Sequence, residues 1–448
     1  MSTRAYGDDA APAQSRARTI FGIGAGNALE WYDWGIYATF TAFFASQFFH
    51  GSSQGSDVLK TLAVFAVGFV ARPIGGFLFG FVADRKGRQL SMMLTVALAA
   101  GGSLVIGLTP SYHHIGILAP VILVAARLCQ GLAHGGELPA AQTYLSEMAP
   151  KERRGLWSSL IYVSGTAGVL VGTLLGAILA SFLDKDQMTS FGWRIPFILG
   201  GIFGFFAMYM RMKMEETETF VEAEAEIESE EFKPSLVRQI LDHPVLLLKV
   251  IGLTVGGTVI YYVWAVSAPS YAISNRGIDA KGALWAGVFA QVIFIAVLPL
   301  WGRLSDRVGR RPVIMSGTAV LVVLLIPLNN LIGNSVVRLG VSMTIALILI
   351  GAFVSIGPAV FAEMFPTHIR AAGLGVPYSI AVALFGGTAP YLQTFFAEKG
   401  VPNAFNWYAM ALGVVSIITV WSLQETKGID LRHVEGQQRS TSAQVEPA

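Results

Sequence analysis

The sequence predicts an all-α membrane protein of twelve transmembrane helices, arranged as two pseudo-symmetric bundles of six. Three observations carry that prediction. The first is composition. Of 448 residues, 53% are hydrophobic and only 13% charged, and mean hydropathy is +0.57, whereas soluble domains carry roughly 25% charged residues. The second is recurrence: apolar stretches of about 20 residues, the length that crosses a bilayer, occur twelve times. The third is internal repetition. GFVADRKGR (80–88) returns as GRLSDRVGR (302–310), and SEMAPKERRG (146–155) returns as AEMFPTHIRAAG (362–373). Two elements in the same order at nearly one spacing mark two related halves, and parallel repeats of this kind place a binding site between them near the midplane.

In order, the spans fall at 20–48, 58–82, 90–110, 116–147, 156–182, 194–212, 245–273, 282–301, 313–332, 338–362, 371–397 and 402–423. A backbone in hydrocarbon must satisfy its own hydrogen bonds, so each is a helix. Residues 1–19 form a polar tail and 424–448 a second one. Between the bundles at 20–212 and 244–423 lies a polar linker, 213–243, with nine glutamates between Glu215 and Glu231. The first apolar segment carries carboxylates and no small-residue cleavage pattern after it, so it is not read as a removable signal. Loops after even-numbered spans, with the two tails, hold about 22 of the 31 Lys and Arg residues. By the positive-inside rule both termini and the linker are cytoplasmic; the expected location is the plasma (inner) membrane. Net charge is only +2, which gives no basic balance for nucleic acid. The single cysteine, Cys129, excludes an internal disulfide.

The first span holds the residues most out of place in lipid. Asn27, Glu30, Asp33, Trp34 and Tyr37 fall within an arc of roughly 120° at 100° per residue. A carboxylate near the bilayer centre costs at least ~2.5 kcal/mol, so this stripe faces protein or a watery path. The fourth span carries a second stripe, Arg127, Gln130, His134 and Glu137, within about 80°. Arg127 can hold a carboxylate through two parallel N–H bonds, or it can neutralise Glu30 or Asp33 as a structural pair. Arg72, just before Pro73 in the second span, has the same two alternatives. Asp33, Glu30, Glu137 and His134 are the candidates for exchanging a proton, with Asp33 the first choice through pairing with an arginine. The fifth span has Gly168, Gly172 and Gly176 at the spacing of close helix packing. The C-terminal half has almost no charge in its spans and offers Tyr261, Tyr262 and Tyr378 as hydrogen-bonding walls, with Gln291 among the polar residues beside them.

The paired G-x-x-x-D-R-x-G-R loops, after the second and eighth spans, resemble the signature loop of the major facilitator superfamily. Within it, GNALEWYDWGIY, VARPIGGFLFGFVADRKGR, ARLCQGLAHGGELPAAQTYLSE, GWRIPF and EMFPTHIRAAGLG are similar to the metabolite:proton symporters, a branch that includes α-ketoglutarate, shikimate, citrate and proline/betaine permeases. The resemblance covers nearly the whole chain. It implies the major facilitator fold and a latch at the cytoplasmic side formed by Asp84, Arg85, Arg88, Glu147, Asp306, Arg307, Arg310 and Glu363, with tight turns at Gly87 and Gly309. It also implies an arginine at position 72 as in the α-ketoglutarate permeases.

Other chemistries are not encoded. There is no phosphate-cradling loop, no Cys/His metal spacing and no nucleophile elbow, so no enzyme, no metal and no cofactor is expected, and a gradient must drive transport. The expectation is a monomeric symporter in the lipid bilayer, importing a small organic acid anion with protons by alternating access. Arg127, Arg72, Gln130, Asn27, Trp34, Tyr37, Tyr261, Tyr262 and Tyr378 are the candidate substrate contacts. A zwitterionic substrate such as betaine, caged by Trp31, Trp34 and Tyr37 through cation–π contacts, is the alternative. A substrate-sensing receptor without transport is a third reading, against which the short loops stand.

Overall fold

The computed structural model describes residues 13–51, 53–86, 88–135, 137–212, 244–365 and 370–431. Among them every regular element is helical, and they form twelve spanning helices. In the N-terminal half these are α1 (Ala13–Phe48), α2 (Gln54–Lys86), α3 (Arg88–Leu108), α4 (Leu118–Ala133 and Glu137–Met148), α5 (Arg154–Phe182) and α6 (Arg194–Met212). In the C-terminal half they are α7 (Pro244–Arg276), α8 (Ala280–Val308), α9 (Arg310–Ile332), α10 (Val336–Met364), α11 (Arg370–Ala381, continuing to Ala389–Glu398) and α12 (Pro402–Trp421). Ten helical segments are long and apolar enough to cross a membrane by composition, and Leu118–Ala133 is a shorter apolar helix. The polar linker at 213–243 and the outer parts of both tails lie outside the described residues.

Two boundaries differ from the sequence expectation. Helix α1 begins at Ala13, ahead of the apolar run. The fourth span is not one helix: it stops at Ala133 and restarts at Glu137. The cause is His134-Gly135-Gly136, where glycines withdraw helix propensity. The break frees a carbonyl that the helix no longer uses, and Arg72 Nη2 donates to that His134 oxygen at 3.3 Å.

Within the first half α5 lies along α1, with Gly168, Gly172 and Gly176 facing Ala28, Ile36 and Phe40. Helix α6 is tied to α3 by Arg194, whose Nη1 donates to Gly107 O at 2.9 Å and Thr109 O at 2.6 Å. In the second half α8, α9 and α10 pack side by side, as do α7, α11 and α12. Two π-turns interrupt helices of this half, Tyr262–Ser267 in α7 and Val382–Gly386 in α11. Such turns are common where a helix serves a site.

The halves meet along a seam in which α5 runs against α8 over its full length. At one end Trp285 Nε1 donates to Ser181 Oγ at 3.2 Å, and at mid-height Gln291 Nε2 donates to Thr173 Oγ1 at 3.3 Å. At the other end, where the repeated loops lie, the backbones of Gly155 and Gly302 touch. A Cβ on Gly302 would stand 2.5 Å from Gly155 O, so only glycine fits.

Candidate functional site

At the loop end, the duplicated segments pair crosswise. Arg154, which follows Glu147 in the first repeat, binds Glu363 of the second through Nη1 to Oε1 at 2.8 Å. Arg370, which follows Glu363, binds Glu147 at 2.5 Å. Each half thus supplies an arginine to the other half's glutamate. Glu363 is fully buried and also accepts from Arg310 at 3.2 Å and from Thr426 at 2.5 Å. Asp306 accepts the backbone N–H groups of Gly155 and Leu156 at 2.8 and 2.9 Å, capping the start of α5 across the seam. Arg310 holds the same carboxylate at 2.7 Å. Gly309 adopts φ 122° and makes the turn that a side chain would oppose.

Of the expected latch, Glu147, Asp306, Arg310 and Glu363 therefore stand together. Arg307 contributes its backbone carbonyl, which accepts from Lys427 Nζ at 2.6 Å. Asp84, Arg85 and Arg88 fall outside the described side chains, as does the turn at Gly87. Sequence reasoning missed the roles of Arg154, Arg370 and Glu425, which accepts the N–H groups of Arg310 and Arg311. A signal for the first two was present, since each repeat spaces its glutamate and arginine alike.

At mid-height, aromatic residues from both halves close the seam. Trp31 meets Tyr261 edge-on at 5.3 Å and stacks on Tyr262 at 5.9 Å, centroid to centroid. Tyr162 approaches Tyr261 at 5.6 Å, and its hydroxyl lies 3.4 Å from that of Tyr378. Below them Arg72 is paired with Glu30 and lies within interaction range of the Tyr262 and Tyr378 hydroxyls. All of these side chains are buried. The Tyr261 hydroxyl and the buried Gln142 amide make no hydrogen bond of standard geometry among the described residues, their polar neighbours being Thr166 and Tyr378 respectively. Unsatisfied polar groups of this kind cost free energy unless something else binds them.

The remaining candidates occupy the interior of the N-terminal half. Arg127 has its guanidinium between the rings of Trp34 and Tyr37, 4.2 Å from each centroid, and donates to Gln130 Oε1 at 3.0 Å. Gln130 continues to Ser103 at 2.9 Å, and Ser103 to Asp33 at 2.7 Å. Asn27 joins α1 to α5 through Ile161 O at 2.7 Å and Ser164 Oγ at 2.9 Å. The Tyr37 hydroxyl donates to Thr61 O at 3.0 Å. Two expectations change here. Among the described residues Asp33 makes no ion pair with an arginine, though the Arg127 charge acts on it; the carboxylate that pairs is Glu30, with Arg72. The Trp34 and Tyr37 faces offered for a zwitterion cage already hold the Arg127 cation. Asp33 instead lies 3.9 Å from His134 Nε2. The Glu137 side chain is outside the description.

A twelve-helix bundle in two related halves, with buried polar side chains on the seam and crossed ion pairs at one end, has the architecture of a membrane transporter. The Major Facilitator Superfamily profile matches residues 23–376 and 275–443, and the chain belongs to that family. It is 34% identical over 421 residues to the α-ketoglutarate permease of Escherichia coli K12, covering 93% of this chain and 95% of the relative. It is 30% identical over 424 residues to the proline/betaine transporter of Salmonella typhimurium LT2, covering 93% and 85%. Among solved structures it is similar to a D-xylose–proton symporter, with TM-score 0.71 at 18% identity, covering 93% of this chain and all of that one. That last likeness speaks for the fold.

Proposed function

We propose that this transporter is a proton-coupled symporter importing a small organic acid anion across the plasma membrane, with both termini and the ion-pair lock on the cytoplasmic side. One observation carries the reading: the seam holds a buried arginine, Arg72, whose partner is a titratable carboxylate, Glu30. An anion reaching the seam and the ionised Glu30 compete for the same guanidinium. Protonation of Glu30 releases Arg72, whose planar fork then takes a substrate carboxylate through paired N–H bonds. Substrate and proton thereby favour one another, and the coupling is shared by both. Tyr261, Tyr262, Tyr378, Trp31 and Gln142 supply the walls and hydrogen bonds, and Arg127 holds the N-terminal half together behind them. The 34% identity to an α-ketoglutarate permease supports a dicarboxylate or keto acid.

A second reading keeps the fold and changes the cargo. Trp31, Tyr162, Tyr261 and Tyr262 form an aromatic enclosure of the kind that takes a quaternary ammonium, and several relatives carry the name of proline/betaine transporters. A thermal-shift panel of dicarboxylates, keto acids, aromatic acids and betaines on the purified protein separates the two. Stabilisation by a carboxylate without an ammonium group supports the anion reading. Stabilisation by betaine alone contradicts it.

A further inference from the structure

The carboxylates of α1 border a second space that is not the seam. A partly open pocket of about 40 Å³ lies in the N-terminal half, lined by α1, α3, α4 and α6. Such a volume is enough for about three or four water positions, since a single water needs roughly 10–15 Å³ on this measure. Its inner wall carries Glu30, Asp33 and His134. His134 is buried, and its Nε2 has no hydrogen-bond partner among the described residues. From there the space follows Gly200, Gly204 and Ala207 along α6, with Ala99 and Thr95 of α3 opposite. Gly200 sits beside Asp33, where a Cβ would stand 3.2 Å from Oδ1. Ala207 is about 10 Å further along the axis at 1.5 Å per residue, toward the loop end, since Arg194 at the start of α6 is anchored at the opposite end. The inner residues are buried, while Thr95 and Ala207 are half-buried. Glycine and alanine make up half of the wall, with Leu29, Tyr32 and Val96 the larger members, and the charged groups are concentrated at the inner end.

We infer that the proton and the substrate leave this transporter by different routes: the substrate through the seam, the proton through this cavity within the N-terminal half. The inference rests on the symport reading above. Glu30 is the point of contact between the two routes, because it pairs with Arg72 at the seam and lines the cavity. When substrate has departed and Arg72 recovers Glu30, the carboxyl proton passes to cavity water and on toward the loop end. Asp33, held by Ser103 and close to His134, is a proton station on the way. The charged and titratable groups around the inner end are Glu30, Asp33, Tyr32 and Tyr37 on α1, Arg72 on α2, Arg127 and His134 on α4, and, from the other half, Tyr262 on α7 and Tyr378 on α11. The two cations next to two carboxylates keep the site near neutral while a single proton moves.

The test uses the full chain in proteoliposomes with Cys129 replaced by alanine. Ala207→Cys and, on the facing wall, Thr95→Cys are each assayed before and after labelling with a bulky membrane-impermeant thiol reagent from the loop side. Each protein is its own control for folding. Two quantities are read, counterflow of labelled substrate at equal concentrations and accumulation driven by an imposed pH gradient. The inference predicts that labelling abolishes accumulation while counterflow persists. Equal loss of both would show the cavity to be part of the substrate path. Complete labelling with no effect, or no labelling from that side, would also overturn the inference. If the Cys129→Ala parent shows counterflow but no pH-driven accumulation, the symport reading itself fails, and the inference with it.

Discussion

Arg154→Met isolates the lock between the halves. The residue belongs to the first half, is 3% exposed, and crosses the seam to Glu363 at 2.8 Å and to Ile429 O at 3.1 Å. Removing it does not strand the glutamate, because Arg310 and Thr426 remain on it. The bond to Ile429 O goes as well, but the larger loss is the one buried, charge-assisted hydrogen bond to Glu363, about 1.5–3 kcal/mol. That bond exists only when the loop end is closed, so its energy appears as conformational bias. At 1.4 kcal/mol per factor of ten, the loop-end-open population should rise by roughly 10- to 150-fold. A cysteine at Ser355, buried where Ser158 Oγ donates to its carbonyl at 2.6 Å, reports the opening. In a Cys129→Ala background, Ser355→Cys should react with a thiol reagent much faster once Arg154 is methionine. An unchanged labelling rate would refute the argument that the crossed arginines hold the closed state.

Three further outcomes follow from the same geometry. Gly302→Leu inserts a side chain where a Cβ already meets Gly155 O at 2.5 Å, so the loop end should stay open and transport cease while the protein still inserts; normal transport would contradict the close approach. Arg127→Lys exchanges a stacked planar cation for a point charge between Trp34 and Tyr37, at a cost of about 2 kcal/mol. Its unfolding midpoint in detergent should fall, and an unchanged midpoint would argue against a packing role. Arg72→Lys should weaken binding of a dicarboxylate by tenfold or more, since one bidentate contact is worth more than ~1.4 kcal/mol; titration calorimetry with equal affinities would remove Arg72 from the site.

The fold was legible because lipid leaves few options. Length, hydropathy and the duplicated loops give twelve helices and two halves, and the observed elements match those spans closely. The ring of tyrosines was partly legible, since Tyr261, Tyr262 and Tyr378 stand out in an uncharged half. What could not be read was rotation about each helix axis. Helix α1 is buried on nearly all sides, so its polar stripe does not say which side meets the partner half. The stripe in fact divides: Trp31 faces the seam, Glu30 lies between seam and cavity, and Trp34 and Tyr37 enclose Arg127. Spacing placed Arg127 near Asp33, but the intervening Gln130 and Ser103 are visible only in three dimensions. Tyr162 and Gln142 carried no local signal, because a single polar residue on a packed helix looks the same whether or not it borders a site.

The central claim is that Glu30 exchanges the coupling proton against a substrate held by Arg72. The most direct measurement is made on Glu30→Gln in proteoliposomes, comparing counterflow with accumulation under an acid-outside gradient. Glutamine mimics the protonated carboxyl and cannot release a proton. The account predicts that the variant still exchanges labelled substrate but no longer concentrates it. If Glu30→Gln accumulates substrate against its gradient as the unaltered protein does, the coupling lies elsewhere and the account is wrong.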